Sequence, residues 1–430
     1  MAAPQVGRWA WHSVALFLTA LTAHAQTTFY KDVLPILQQH CQVCHRAGEI
    51  GPMPLLTFQQ ARPWAKSVRE AVTLRRMPPW FADPHFGKFA NDPTLSEAEI
   101  ATIQTWVDTG AHEGAAADAP PPVDWPKNGI IASPDFVTGM KQPFVIKANA
   151  TVDYQYVVLQ PGFPVDRWVS TVEIRPSDRS VVHHAVLYVR EPGSDWLRGV
   201  EPGVMYSPGV DGESARRAAS MTKADILAIY TPGAPVMQCP PGMAKKIPAG
   251  SDLVLQMHYT SKKTAANDQT EIRMLYAKES PKSRVLTLQM SQYDLRIPAG
   301  ARNYRATVSG TVPNDALLLS MFPHMHLRGS GFEYQVLGTR GRVDTLLKVD
   351  NYDFYWQLTY KLAMPRLLPA GTTLLFTGYF DNSANNPRNP DATAEVTWGE
   401  QSREEMMVGF FDVAVPPDVD KPAFFVREKR

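Results

Sequence analysis

The chain has 430 residues, of which 44% are hydrophobic and 20% are charged, and its formal net charge is +1. This composition is typical of a globular protein, not a disordered one, and the length exceeds that of one ordinary domain. The near-neutral charge gives no basic surface bias, which argues against nucleic acid as a partner.

The first 25 residues have the pattern of a secretory signal peptide. Arg8 precedes a short apolar core from Val14 to Leu21, and Ala23-His24-Ala25 provides small residues at a cleavage site. The core is too short to span a bilayer, and no other stretch is long and apolar enough. We therefore expect an exported protein, periplasmic or secreted, without a membrane span in the mature chain. An uncleaved N-terminal anchor is the alternative.

Residues 26–115 have the apolar periodicity of helices. Ser96 and Glu99 have the spacing of a capping box, which predicts that a helix begins there. The segment 116–128 is rich in Ala and Pro and is predicted to be a linker. The periodic apolar side chains stand three and four positions apart, at Phe29, Val33, Ile36 and Leu37 and again at Ile100, Ile103 and Val107.

The motif Cys41-Gln42-Val43-Cys44-His45 is the attachment sequence of c-type haem. Two thiols at this spacing can bind both haem vinyl groups, and the histidine that follows presents its imidazole to the iron. A redox-active cysteine pair is the alternative. For the second axial ligand we expect Met77, with His85 as the runner-up, because Met53 lies too near to His45 along the chain. Ordinary core packing is the alternative role of Met77.

The segment from Ser96 to Gly110 resembles the C-terminal helix of small class I cytochromes c, and the resemblance covers about residues 28–113. It implies a small all-α cytochrome c domain over residues 26–115.

From about Val123 onward the pattern changes to short strands separated by Pro-Gly and Asn/Asp-rich turns. This rhythm predicts two all-β sandwiches, over residues 129–284 and 285–425. Cys239 lies in the first of these, has no cysteine left to pair with, and is predicted to be a buried free thiol. The clearest strands are predicted at Tyr154–Leu159, His184–Val189, Leu253–Tyr259, Leu317–Phe322 and Leu374–Phe380.

Histidines in the β-rich region are confined to three places. After His112 only five remain, in the pair His183-His184, at His258, and in His324-Met325-His326. Such clustering favours metal ligation. On a strand, His324 and His326 point to the same face and can share a metal. The adjacent pair can do so only at a strand end or a β-bulge.

The order of these motifs, followed by Glu404-Glu405-Met406, resembles the copper type II, ascorbate-dependent monooxygenases, a family that includes peptidylglycine α-hydroxylating monooxygenase and dopamine β-monooxygenase. The resemblance covers about residues 130–425. It implies a multidomain fold in which two jelly-roll-like sandwiches hold one copper ion each and face each other across an open cleft.

The resemblance also implies the roles of the ligands. His183, His184 and His258 correspond to the ligands of an electron-storing copper. His324, His326 and Met406 correspond to those of the copper that activates oxygen, with Met407 as the alternative to Met406. Two imidazoles and a thioether favour Cu(I). The implied reaction is hydroxylation of a substrate C–H bond by molecular oxygen, with the second electron supplied by the distant copper. The fused haem departs from the family and suggests that electrons come through the cytochrome, in place of or as well as ascorbate, with ascorbate or a redox protein as the donor.

Three positions depart from the peptide-amidating members of the family. Those enzymes have an arginine, an asparagine and a tyrosine where this chain has Phe322, Val408 and Phe410. The polar anchors for a peptide C-terminus are therefore missing, and we expect a small, relatively apolar substrate. Two other functions remain open at this point. One is a non-catalytic haem and copper protein for electron transfer or copper handling, and the other is a zinc hydrolase, which the thioether disfavours.

Overall fold

The computed structural model describes residues 1, 26–126, 129–150, 152–207, 224–234, 236–338, 342–421 and 427–428. The predicted signal peptide lies outside these residues apart from Met1, and so do positions 127–128 of the predicted linker. Among the described residues, no helix is long and apolar enough to cross a membrane.

The N-terminal region is helical. A π-helical turn at Phe29–Val33 leads into α1 (Leu34–His40), and short 3-10 turns stand at Arg62–Trp64 and Ala116–Asp118. The remaining helices are α2 (Phe58–Ala61), α3 (Ala65–Thr73) and α4 (Glu97–Asp108). The helix α4 begins with the predicted capping box, in which the side chains of Ser96 and Glu99 accept hydrogen bonds from each other's backbone amides.

The rest of the described chain consists of strands and loops, and every strand predicted from the sequence overlaps an observed one. The strands are β1 (Phe136–Gly139), β2 (Phe144–Ile146), β3 (Gln155–Leu159), β4 (Arg167–Arg175), β5 (Val182–Arg190), β6 (Met205–Tyr206), β7 (Asp225–Tyr230), β8 (Met237–Gln238), β9 (Met243–Ile247), β10 (Asp252–Tyr259), β11 (Ala266–Asp268), β12 (Glu271–Tyr276), β13 (Ser283–Ser291), β14 (Arg296–Ile297), β15 (Tyr304–Thr311), β16 (Ala316–Met325), β17 (Gly329–Leu337), β18 (Val343–Val349), β19 (Tyr360–Leu368), β20 (Thr373–Phe380), β21 (Val396–Thr397), β22 (Met407–Val415) and β23 (Arg427–Glu428).

One long sheet runs through both β-rich halves, in the order β1-β12-β4-β9-β13-β22-β16-β19 with β8 beside β4. A short parallel pairing of β9 with β13 joins the halves. A five-stranded sheet, β6-β3-β10-β5-β7, packs on the first half, and another, β18-β17-β20-β15-β23, packs on the second. Each half therefore has its own apolar core, as expected of two sandwiches.

The expected all-α cytochrome c domain is wrong as a description of the fold. The described chain is predominantly β, and after α3 the N-terminal region runs on as extended chain that pairs with the second sandwich. Ala82 forms an isolated bridge with Val349, and Phe89 forms one with Leu362. The physical reason is that the aromatic side chains of this segment pack against the core of the second sandwich. The ring centroids of Trp80 and Tyr360, for example, lie 4.7 Å apart.

Candidate metal centre and haem site

His183 and His184 stand at the start of β5, beside the end of β10. His184 pairs with His258, but the next residue of β10, Tyr259, pairs with Val182, so His183 is the extra residue of a β-bulge. This confirms that the two adjacent histidines need an irregular strand. The bulge turns both imidazoles to the same side, where the ring of His258 meets them.

The nitrogen atoms of these three rings converge. One ligand atom from each of His183, His184 and His258 lies within 4.8 Å of the others. All three side chains are buried. Among the described residues, the Nε2 atom of His183 and the Nδ1 atom of His258 make no hydrogen bond of good geometry, although the backbone of Phe354 lies near the His183 ring. Buried polar atoms without partners are rare, and a missing metal ion is one of their ordinary explanations.

His324 and His326 form a second pair at the end of β16. The Nδ1 atom of His324 lies 2.7 Å from Oε1 of Gln357, and Nδ1 of His326 lies 3.3 Å from the backbone oxygen of Glu404. Because both partners are acceptors, each Nδ1 carries the proton and each Nε2 keeps its lone pair. The Nε2 atom of His326 is buried and makes no hydrogen bond within the described part of the chain. Such contacts fix the tautomer and orientation of histidines that bind a metal.

The two groups of histidines are in direct contact. The ring centroids of His184 and His324 lie 5.9 Å apart, which is close to the 5.3 Å between His324 and His326. The open cleft implied by the family resemblance is therefore absent from the described part of the chain. The five histidines form one buried cluster between the two sandwiches, which we call the histidine cluster (His183, His184, His258, His324 and His326).

Burial keeps the histidine cluster neutral. It lowers the pKa of His183 and of His324 to about 4 and that of the other three rings well below the ordinary value. Neutral imidazole is the form that binds metals. Two aromatic rings cover the cluster, since Phe354 stacks on His183 at 4.7 Å and Tyr154 stacks on His258 at 4.6 Å.

The structure separates Met406 from Met407. Met406 lines a cavity together with His184 and His324. Met407 points to the opposite side of the strand and is fully buried in the core of the second sandwich. Met406 is therefore the thioether available to the histidine cluster.

Glu405, which the sequence analysis gave no role, orients the ligand segments. Its buried carboxylate accepts hydrogen bonds from the backbone amides of His326, Arg328 and Met406. Burial raises the pKa of Glu405 to about 7, although these hydrogen bonds oppose the shift. Glu405 thereby ties the end of β16 to the start of β22. The Glu-Glu-Met motif was the one sequence signal that could have identified it.

The cavity beside Met406 has a volume of about 50 Å³. Its lining includes Phe322, Val408 and Phe410, the three residues that replace polar anchors in the amidating enzymes. This pocket side of the histidine cluster is therefore mostly apolar and narrow.

The haem motif borders a larger cavity, of about 380 Å³. Cys41, Cys44, His45 and Met77 all line it, and so does Met53. The Nδ1 atom of His45 lies 3.1 Å from the backbone oxygen of Met53, which leaves its Nε2 lone pair free for a metal.

The runner-up ligand does not share this cavity. The side chain of His85 is 83% exposed and bonds to Asp83. Burial raises the pKa of the Cys41 thiol to about 12 and that of the Cys44 thiol to about 11, whereas a reactive pair of redox cysteines requires a lowered pKa. The residues around the motif thus fit an apolar prosthetic group better than a dithiol redox centre.

A segment missed in the sequence connects the two sites. We call it the 353–359 connector, between β18 and β19. Trp356 lines the cavity of the haem motif, while Phe354 stacks on His183 and Gln357 bonds to His324. Its three consecutive aromatic residues, Phe354-Tyr355-Trp356, are a signal that the sequence analysis did not use.

Cys239 is buried and unpaired, as predicted. Its thiol lies 3.8 Å from the sulfur of Met237. Burial raises the pKa of its thiol to about 11, so that the unreactive protonated form prevails at neutral pH.

No family model and no curated protein matches the chain. Among solved structures it is similar to VP2 of infectious bursal disease virus, at 9% identity and a TM-score of 0.20 over 68% of this chain and 75% of that chain. It is also similar to the major capsid protein P2 of bacteriophage PM2, at 11% identity and 0.25 over 66% and 100% of the two chains. A third similar structure is that of the glycosylasparaginase PNGase F from Flavobacterium meningosepticum, with 9% sequence identity and a TM-score of 0.25. The match covers 64% of this chain and 96% of that chain. These TM-scores are too low to support any functional comparison.

Proposed function

We propose that the protein is an exported copper-dependent monooxygenase that hydroxylates a C–H bond of a small, relatively apolar substrate with molecular oxygen. The observation that carries the proposal is the histidine cluster, five neutral and buried imidazoles with three nitrogen atoms that make no hydrogen bond of good geometry to a described residue. Together with Met406 these rings provide the nitrogen and thioether donors that copper prefers.

The donor set supports two copper ions. His183, His184 and His258 would hold one, and His324, His326 and Met406 would hold the other, with Gln357 and Glu405 orienting the ligands. When bound, copper cycling between Cu(I) and Cu(II) would supply electrons and activate oxygen. The protein's own groups keep the rings neutral, fix their tautomers and exclude water, because the cluster is covered by Phe354 and Tyr154.

Cys41, Cys44, His45 and Met77 would hold a haem, which would supply one-electron redox chemistry at this site. The 353–359 connector supports this role because one short segment touches both sites. The indole of Trp356 lines the cavity of the haem motif. The next residue, Gln357, is hydrogen-bonded to the ring of His324 in the histidine cluster. Ascorbate or a redox protein would be the external donor.

The direct test is oxygen uptake by copper- and haem-loaded protein that is supplied with ascorbate and a panel of small apolar compounds. We expect uptake that depends on substrate, yields a hydroxylated product and disappears in His324→Ala. A glycine-extended peptide should give no uptake, because the side chains at 322, 408 and 410 are apolar.

The alternative is a haem and copper protein that only transfers electrons or handles copper. It would load both groups and yet consume no oxygen with any member of the panel, and that result would refute the proposed hydroxylation.

A further inference from the structure

A row of side chains extends from the histidine cluster along one face of the long sheet. On β16, His324, Phe322 and Ser320 are spaced by two residues and so share a face. They stand opposite Val408, Phe410 and Asp412 of β22, respectively. The row therefore begins at a metal ligand, passes two phenylalanines and ends at polar groups.

A second cavity, of about 230 Å³, lies over the far end of this row. We call it the lysine cavity. Phe322, Phe410 and Ile229 line both this cavity and the small one beside Met406. The two cavities are thus neighbours that share a wall of three apolar side chains.

The lysine cavity has a surplus of positive charge. Its charged lining residues are Lys245, Lys361 and Asp412. Lys245 donates to Thr287 Oγ1 at 2.6 Å and lies 3.7 Å from Asp412, whose carboxylate also accepts from the Ser320 hydroxyl. Lys245 and Asp412 thus satisfy each other.

Lys361 is the lining cation that makes no salt bridge with a described residue, although the carboxylate of Asp412 attracts it from a longer distance. It stands opposite Ser320 in the sheet and is partly buried at the wall of the cavity. Among the residues that the structure describes, no carboxylate oxygen lies within 4.0 Å of its ammonium group. A partly buried cation without an ion-pair partner is costly, and an anionic ligand would compensate it.

We propose that the lysine cavity binds the carboxylate of an apolar monocarboxylic acid, the substrate class of the protein. Lys361 would pair with the carboxylate, and the hydrocarbon part would lie over the adjoining rings of Phe322 and Phe410, whose centroids are 5.9 Å apart, and extend toward His324. Four residues of strand separate Ser320 from His324, which corresponds to about 13 Å. This distance predicts that the preferred acid has a hydrocarbon chain of medium length between its carboxylate and the carbon that reacts. The inference deepens the proposed function and rests on it for the reaction, but not for binding.

The test is calorimetric titration of the full chain with octanoate and with 1-octanol, its neutral counterpart. We expect octanoate to bind at least about tenfold more tightly than 1-octanol, because only the acid can form a charge-assisted bond. Lys361→Met should remove that difference while preserving the affinity for 1-octanol, and Lys361→Arg should retain it. Lys147→Met, at an exposed lysine of the first sandwich, is the matched control and should bind as the parent does.

Equal affinities of the parent for the two compounds would overturn the inference, and so would an octanoate affinity that does not change in Lys361→Met. Copper content is measured on the same samples. Lysine-dependent binding of octanoate to a chain that takes up no copper when copper is supplied would refute the proposed function and leave the binding site standing. A copper-loaded chain that consumes oxygen with other substrates and does not bind octanoate would refute the binding site alone.

Discussion

At the scale of single residues, the histidine cluster combines features that have no structural advantage in the metal-free chain. Packing five imidazoles together buries nitrogen atoms without partners, each of which costs free energy. The pair His183 and His184 illustrates this, because their Nδ1 atoms approach to 3.1 Å and neutral rings can place only one proton between them. A bound metal ion would convert these costs into coordination bonds.

The metal-free protein should lose stability as the pH falls below about 6.5. In the unfolded chain the histidines take up protons near that pH. In the folded chain the pKa of His183 and of His324 is about 4, and the other three lie well below the ordinary value. Between these limits the unfolded chain binds more protons than the folded chain. Each unit by which the pH is lowered therefore reduces the free energy of unfolding by about 1.4 kcal/mol for each such ring.

Glu405 opposes this trend, because its raised pKa makes the folded state the better proton binder between about 4.5 and 7. One carboxyl acts against five rings, and the net direction is unchanged. Urea unfolding of the metal-free chain should show a lower midpoint at pH 5 than at pH 7. His324→Gln should reduce by one the number of protons taken up on unfolding, and so make the free energy of unfolding less dependent on pH. A midpoint that is equal or higher at pH 5 would contradict the assignment of neutral, buried rings.

At the scale of elements, two irregular features create the site. The bulge at His183 lets adjacent residues of β5 face the same ring of β10. The 353–359 connector runs from the five-stranded sheet that contains β18 to the long sheet that contains β19. It bonds to the histidine cluster on one side and borders the haem motif on the other. The bulge interrupts regular backbone pairing and the connector lies outside it, so these side chains can approach one another.

Trp356→Leu should slow the oxidation of the haem by the copper centre. Trp356, Leu358 and Thr359 of the 353–359 connector line the cavity of the haem motif, and Trp356 is the aromatic residue among them, through which the proposed electron route would run. The reduced protein would be mixed rapidly with oxygen, and the absorbance of the ferrous haem would be followed over time. That absorbance should decay several-fold more slowly in Trp356→Leu than in the parent protein.

Copper and haem contents should stay unchanged in Trp356→Leu, so that the slower decay reports the route and not loss of a site. Trp64→Leu, at an exposed indole of the helical region, is the control and should decay at the parent rate. Equal rates in all three proteins would exclude the connector as the electron route.

At the scale of the whole molecule, the sequence predicted local features better than their arrangement. The capping box at Ser96, the strand positions and the need for a bulge at His183 all follow from local patterns and are confirmed. The separate all-α domain was wrong because the extended segment around Trp80 finds its apolar cover on a distant strand. Such contacts between remote segments leave no periodicity in either one.

The same limit applies to the site. Clustered histidines and the neighbouring Met406 could be identified from residue type and spacing. The absence of an open cleft could not, because it depends on how two sandwiches pack through β9 and β13. Gln357 and Phe354 touch the histidine cluster from a loop with three consecutive aromatic residues, Phe354-Tyr355-Trp356, a signal that the sequence analysis did not use.

The central claim is that the histidine cluster and Met406 hold two copper ions, and the most direct measurement is the copper content of the chain and of two matched variants. The parent should bind two ions beside one haem. Met406→Leu should lose one, whereas Met407→Leu should keep both, since Met407 lies in the core and this swap costs less than about 1.5 kcal/mol. A parent without copper, or two ions retained in Met406→Leu, would contradict the account.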